Sequence, residues 1–179
     1  MTKPNIDDFL IAPKVETNPV PIHYLPPIPK GFRIVIDTNE QKPYKFGKIP
    51  VIRNTLNAGD YSIDGMEHLI SIERKSQLDL YGSIGNGRDR FNRMWDRLSY
   101  HYFLGLIIEC DELNLMNPEQ TYSDINKNSV YSTINSYEVK RNIHVYYGTR
   151  KACALKIANW LLVFYKNYIE KMKKGVMKK

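Results

Sequence analysis

A chain of 179 residues with 42% hydrophobic and 25% charged positions has the composition of one ordinary globular domain with a buried core. No stretch approaches the roughly 20 apolar residues that a bilayer crossing needs, no basic-then-apolar leader opens the chain, and Cys110 and Cys153 have neither metal-ligand spacing nor a disulfide framework; a membrane protein and a stapled secreted domain are excluded, and an intracellular setting is expected. The net charge of +7 gathers at one end, where Lys166, Lys171, Lys173, Lys174, Lys178 and Lys179 face only Glu170, so the excess reads first as a solvated tail.

Seven of the ten prolines fall in residues 1–30: Pro4, Pro13, Pro19, Pro21, Pro26, Pro27 and Pro29. Proline lacks a backbone donor and fixes φ, so this stretch is expected to be an extended, flexible arm. Residues 31–172 form the expected domain, and 173–179 a basic tail. From Phe32 the pattern becomes periodic. Residues 32–37 (FRIVID) are β-branched and apolar, hence a strand. Residues 51–56 and 59–63 read as two more, and 68–75 (HLISIERK) as a fourth whose alternation emerges at its end. A short helix is expected over 76–84, broken by Gly85-Asn86-Gly87. Residues 86–101 form an amphipathic helix, with Phe91, Met94, Trp95, Leu98 and Tyr102 on one stripe. Residues 103–110 (FLGLIIEC) are a buried strand; 129–140 a helix, 143–146 a short strand, and 149–174 a long helix. Its stripe is Ala154, Ala158, Leu161, Tyr165, Tyr168 and Met172. Strands alternating with helices predict a layered α/β domain.

The chemistry gathers around Asp60 and the run Glu73-Arg74-Lys75. On a strand, residues i and i+2 share a face, so Glu73 and Lys75 project together and Arg74 points away. Taken alone, acidic-x-basic on a strand is often no more than a surface ion pair of little energetic worth. Here Asp37 ends the first strand, Glu40 follows its turn, Asp60 opens a third segment and Asp79 lies on the first turn of the next helix. Five carboxylates at strand ends repel one another unless a cation is present. A hard cation on oxygen ligands, a positioned water and a nearby ammonium are the parts that phosphodiester hydrolysis needs.

In order, Asp37-Thr-Asn-Glu40, Gly59-Asp60-Tyr61, Ile72-Glu73-Arg74-Lys75-Ser76 with Asp79-Leu80, Ser83-Ile84 with Asn86-Gly87-Arg88, and Leu106-Ile107-Ile108-Glu109 resemble the nuclease domain of the XPF family of structure-specific endonucleases, in the PD-(D/E)xK superfamily. The resemblance spans residues 32–170. It implies a restriction-endonuclease-like central mixed β-sheet flanked by helices, and Mg²⁺ or Mn²⁺ beside the ERK strand. It also implies that Asp60 and Glu73 are metal ligands, that Asp37 is a third ligand or an orienter, and that Lys75 stands near the attacking water and the scissile phosphate. Asp79 is expected to fix Lys75 or the metal shell, Glu40 to orient, Arg74 to be structural or a phosphate contact, and Arg88 to lie close to the site. Two positions depart from the family pattern. Asn39 replaces an arginine, a planar and permanently charged donor, and Asn92 replaces a glutamine.

At about 100° per residue, Arg90, Arg93 and Arg97 fall within about 60° of one another beside the apolar face of their helix. They read equally as a phosphate-tracking stripe and as a solvated face. The expected function is a metal-dependent endonuclease cutting DNA at branched or flapped structures. The alternatives are a catalytically silent DNA-binding or scaffold subunit, and a viral or mobile-element nuclease with another target. No tandem helix-hairpin-helix module fits after residue 148. A homodimer is therefore expected to supply the missing surface, with Leu155, Leu162 and Ile169 of the last helix, and Trp160 and Phe164 nearby, contributing to its interface.

Overall fold

The computed structural model describes residues 25–116 and 125–175, so most of the proline-rich arm and the end of the basic tail lie outside the described residues. Six strands come in chain order as β1 (Ile34–Asp37), β2 (Val51–Asn54), β3 (Tyr61–Ile63), β4 (Ile70–Ser76), β5 (Phe103–Glu109) and β6 (Ile143–Tyr147). The helices are α1 (Gln77–Ile84), α2 (Arg88–Arg97), α3 (Glu112–Met116), α4 (Lys127–Arg141) and α5 (Arg150–Lys173). The strands form one sheet in the order β2-β1-β3-β4-β5-β6. β3 runs antiparallel to both of its neighbours, whereas β1–β2, β4–β5 and β5–β6 are parallel. This is the mixed α/β architecture expected from the alternation of elements.

The side-chain alternation of the strands divides the core into two layers. On one face Ile34, Ile36, Tyr61, Ile63, Ile70, Ile72 and Ile107 pack beneath Cys153, Ile157, Leu161 and Leu162 of α5. On the other face Leu104, Leu106 and Ile108 pack against Leu80 and Ile84 of α1, Phe91 and Trp95 of α2, and Val130 and Ile134 of α4. A parallel pair such as β4–β5 has both faces covered, which is why β5 reads as a continuous apolar run.

The element ends follow local chemistry. Ser76 caps α1 by accepting from the Asp79 N–H, and Asp79 accepts in turn from the Ser76 hydroxyl at 2.6 Å, a reciprocal cap that fixes where the strand stops and the helix begins. Asn142 closes α4 in the left-handed conformation, the commonest non-glycine way to end a helix. The short α3 has no counterpart among the expected elements. α2 stops at Arg97, so Tyr102 lies beyond the helix and is 65% exposed instead of joining the stripe.

The last helix also differs from expectation. Leu162 is fully buried in its own domain's core, and Trp160 and Phe164 pack their rings on Phe103. Leu155 and Ile169 lean on the same layer. The apolar circumference expected to seat a second copy is largely taken up within the domain. Leu25 and Ile28, at the end of the arm, pack against that layer too. Among the described residues no helix is long and apolar enough to cross a membrane.

Candidate active site

Three strands bring the acids together. Ile34 and Ile36 of β1 point to the α5 side, so Asp37 points to the opposite face. Tyr61 and Ile63 do the same on β3, which turns Asp60 to that opposite face as well, and Ile70 and Ile72 on β4 leave Glu73 and Lys75 there. The register pairs Ile36 with Tyr61 and Tyr61 with Ile72, so Asp37, Asp60 and Glu73 stand in adjacent rows. Main-chain bonds lock this alignment: Asp37 N–H donates to the Asp60 carbonyl at 2.8 Å, and Asp60 N–H to the Ile72 carbonyl at 2.9 Å. Gly59 is required immediately before Asp60. Its φ is +81°, and a Cβ there would meet Ser71 Oγ at 2.1 Å, so the chain reaches β3 this closely only without a side chain.

Asp60 Oδ2 accepts the Arg74 main-chain N–H at 2.7 Å. Burial, and then the neighbouring Glu73 carboxylate, push the Asp60 carboxyl well above the usual carboxylate range, while that N–H pulls it back. Glu73 is 6% exposed and takes Lys75 Nζ on Oε1 at 2.7 Å. The Lys75 ammonium also lies 5.3 Å from the centre of the Phe91 ring, so the first residue of α2 buried against β5 on this face also braces the lysine.

Asp37 keeps its place on this face, and the other expected site residues turn to separate partners or to solvent. Asp37 is 5% exposed and spends both oxygens on backbone, Oδ1 accepting from Asn39 N–H at 2.8 Å and Oδ2 from Leu56 N–H at 2.7 Å. Asp79 caps α1 through Ser76; the ion pair of Lys75 is with Glu73. Arg74, expected among the DNA contacts, turns into the α5 side, where its side chain is 9% exposed and bonds Glu109 Oε2 at 2.5 Å. Glu40 is buried behind it, 3.9 Å from Arg74 Nη1, and accepts Lys42 N–H at 2.6 Å. Arg88 Nε donates to the Ile84 carbonyl at 2.9 Å, tying α2 to the last turn of α1. Arg90, Arg93 and Arg97 are exposed, and among the described residues none of them enters an ion pair. Of the two departures, Asn92 accepts the Tyr137 hydroxyl at 2.7 Å. At the other, Arg53 of β2 donates to the carbonyls of Thr38 and Glu40 on either side of Asn39, at 2.9 and 3.0 Å.

The resemblance gives Glu109 no role, and nothing in the sequence singles out Arg150. Glu109 receives Arg74 on one oxygen and Arg150 Nη1 on the other, at 2.8 Å. Arg150 has no local signal, because its partners lie far away along the chain. Glu109 ends an apolar strand, and a lone acid there is a cue that it has a buried partner.

The donor set suits a hard cation. Asp60, half-buried, and Glu73, buried, are two carboxylates held together against their mutual repulsion, and carboxylate oxygens are what Mg²⁺ and Mn²⁺ take. Among the described residues no three His, Cys, Asp or Glu side chains are grouped to hold a metal by themselves. Two carboxylates fit the habit of Mg²⁺, which fills its other positions with water and substrate phosphate.

Comparisons place the fold. The structure of XPF from Aeropyrum pernix is similar, with a TM-score of 0.57, 19% sequence identity, and coverage of 80% of this chain and 69% of that one. The structure of XPF from Aeropyrum pernix in complex with DNA is similar at a TM-score of 0.57 and 20% identity, over 75% of this chain and 66% of that one. No curated protein sequence matches. The family model of the ERCC4 domain matches residues 36–159, from the end of β1 into α5 and across every acid of the shared face. The chain belongs to the ERCC4 domain family.

Proposed function

We propose that this chain is a divalent-cation-dependent endonuclease that cuts DNA at branched or flapped structures. The observation that carries the reading is the juxtaposition of Asp60, Glu73 and Lys75 on one sheet face: a half-buried acid, a buried acid and one ammonium. A domain built for stability alone gains nothing from a buried carboxylate set beside a half-buried one. The family match and the DNA-bound Aeropyrum pernix relative support the substrate class.

Asp60 and Glu73 would hold the cation, Mg²⁺ or Mn²⁺. The Arg74 main-chain N–H orients the Asp60 carboxylate and leaves its other oxygen free. Lys75 has two tasks. Without substrate it neutralises Glu73. With DNA in place, its ammonium faces the scissile phosphate and stabilises negative charge on the non-bridging oxygens as water attacks. A cation held by Asp60 and Glu73 would supply Lewis acidity toward the phosphate and would favour deprotonation of the attacking water near neutral pH. Asp37 acts as an orienter, joining the turn after β1 to the segment that leads to Gly59. Arg90, Arg93 and Arg97 offer unpaired positive charge for the phosphate backbone on the side of the sheet where the acids lie.

The test is cleavage by the purified chain of labelled duplex, flap, fork and single-stranded DNA, with Mg²⁺, with Mn²⁺ and with chelator. Cation-dependent cutting of flap or fork substrates is expected. Absence of cleavage on all four substrates with either cation would overturn the reading.

A further inference from the structure

The side of the sheet away from the acids holds a second cluster of charge. Arg74 sits between Glu73 and Lys75 on β4, and its side chain passes to that side. There Glu109 of β5 takes Arg74 on Oε2 at 2.5 Å and Arg150 of α5 on Oε1 at 2.8 Å. Arg150 Nη2 continues to the carbonyls of Lys42 and Pro43 at 2.7 and 3.1 Å, and its guanidinium lies 4.7 Å from the centre of the Tyr44 ring. Glu40 completes the set at 3.9 Å from Arg74. Two cations and two anions thus join β4, β5, the first turn of α5 and the loop after β1.

This arrangement is a poor way to stabilise a fold. The Arg74–Glu109 pair is largely withdrawn from water, where ion pairs roughly break even against well-packed apolar side chains, and the Arg150 side chain is 32% exposed, where they contribute little. Arg74 Nε is buried with no hydrogen-bond partner, which is a further cost. Arg150 stands at the N-terminus of a helix with no acid in its first turn, where the helix dipole disfavours a cation. What the cluster does supply is position. The residue it grips is the one whose main-chain N–H holds Asp60 Oδ2 at 2.7 Å. Each arginine reaches Glu109 through one nitrogen, and the two bonds, one on each carboxylate oxygen, fix how the carboxylate is turned and so where the Arg74 side chain ends.

We infer that Glu109 and Arg150 are positioning residues: acting through the Arg74 side chain from the far face of the sheet, they set the Arg74 main-chain N–H against the Asp60 carboxylate. This rests on the proposed nuclease reading only for its catalytic consequence. The geometry it asserts exists in the cation-free protein.

The test uses the full chain, isotope-labelled and free of divalent cation, with amide NMR and cleavage kinetics read on the same variants. In Glu109→Gln the Arg74 amide proton should move upfield and exchange faster, while the Val35 and Ser62 amides, on strands the cluster does not grip, stay in place. With cation and flap DNA, kcat should fall about 10–100-fold, as for other groups that orient metal ligands, with KM changed by less than about twofold. Arg150→Lys, which keeps the charge and loses the fork, should move both readouts the same way by a smaller amount. It decides the matter should Glu109→Gln fail to fold. A lowered melting temperature with the Arg74 amide and kcat unchanged would show a purely structural cluster and overturn the inference. A parent protein that cleaves nothing would defeat the nuclease reading alone, because the amide response is still measured.

Discussion

Asp60→Asn should make the cation-free protein more stable while ending its cleavage. The amide keeps an oxygen to accept the Arg74 N–H and removes a partly desolvated charge beside another of the same sign. The folded-state carboxyl is raised above its unfolded value of about 3.9. A raised acid contributes its full stability below that value and loses it as pH climbs toward the folded one. The loss runs at about 1.4 kcal/mol per pH unit, so between about pH 5 and pH 7 the parent gives up about 2–3 kcal/mol that the variant retains. For a chain of this size each kcal/mol moves the melting temperature by about 2–4 °C, so the gap between variant and parent should widen by roughly 4–12 °C between those two pH values. Thermal and denaturant unfolding in chelator, at mildly acid and at neutral pH, measure the gap directly. Adding Mg²⁺ should then raise the parent, by about 2.7 kcal/mol at a hundred times its dissociation constant, and leave the variant nearly unmoved. Equal stabilities at neutral pH in chelator, or a gap that does not widen with pH, would refute the reasoning.

Lys75→Ala removes the ammonium proposed to face the phosphate, and cleavage by the folded variant should drop by about 10²–10³-fold, read as initial rates on a flap substrate. Ca²⁺ should support DNA binding with little turnover, since its longer and looser coordination places water poorly; vigorous cutting in Ca²⁺ and none in Mg²⁺ would count against Asp60 and Glu73 as the ligands. Replacing Arg90, Arg93 and Arg97 together by Ala should weaken DNA binding and flatten its salt dependence by about 0.9 in log–log slope for each duplex phosphate that is no longer neutralised. Fluorescence titrations at two salt concentrations that overlay the parent's would mark the three as a solvated face.

Much of the site is legible in the sequence because strand alternation is strict. Glu73 and Lys75 together, with Arg74 opposite, follow from a period of two, and the structure keeps that assignment. The destinations of the side chains are not legible. An arginine next to two site residues invites a place among the DNA contacts, yet the partner of Arg74 is Glu109, thirty-five positions away, and only the pairing of β4 with β5 brings them together. Asp79 is readable in a second way, since Ser-x-x-Asp at the head of a helix is a cap, and the capping chemistry is what the structure uses. Asp37 occupies the expected row but gives its oxygens to the turn. Single-residue identity cannot reveal how many of a carboxylate's lone pairs the backbone has already taken. On α5, periodicity shows a wide apolar surface correctly, but not that Phe103 and the arm residues Leu25 and Ile28 cover much of it.

The two-layered core has a consequence for synthesis. The face packed by α1, α2 and α4 is complete once β6 has emerged, whereas the opposite face, covered in part by Tyr44, Phe46 and Ile49, is completed by α5, the last element among the described residues. Ile63 leaves the ribosome about ninety residues ahead of Ala154, its neighbour in that layer, which at about 5–20 residues per second is about 5–20 s. During that interval an apolar surface containing Ile34, Ile63 and Ile72 lacks the cover that α5 provides. Nascent chains arrested before residue 150 should therefore recruit chaperones or aggregate, with half of the molecule already well packed.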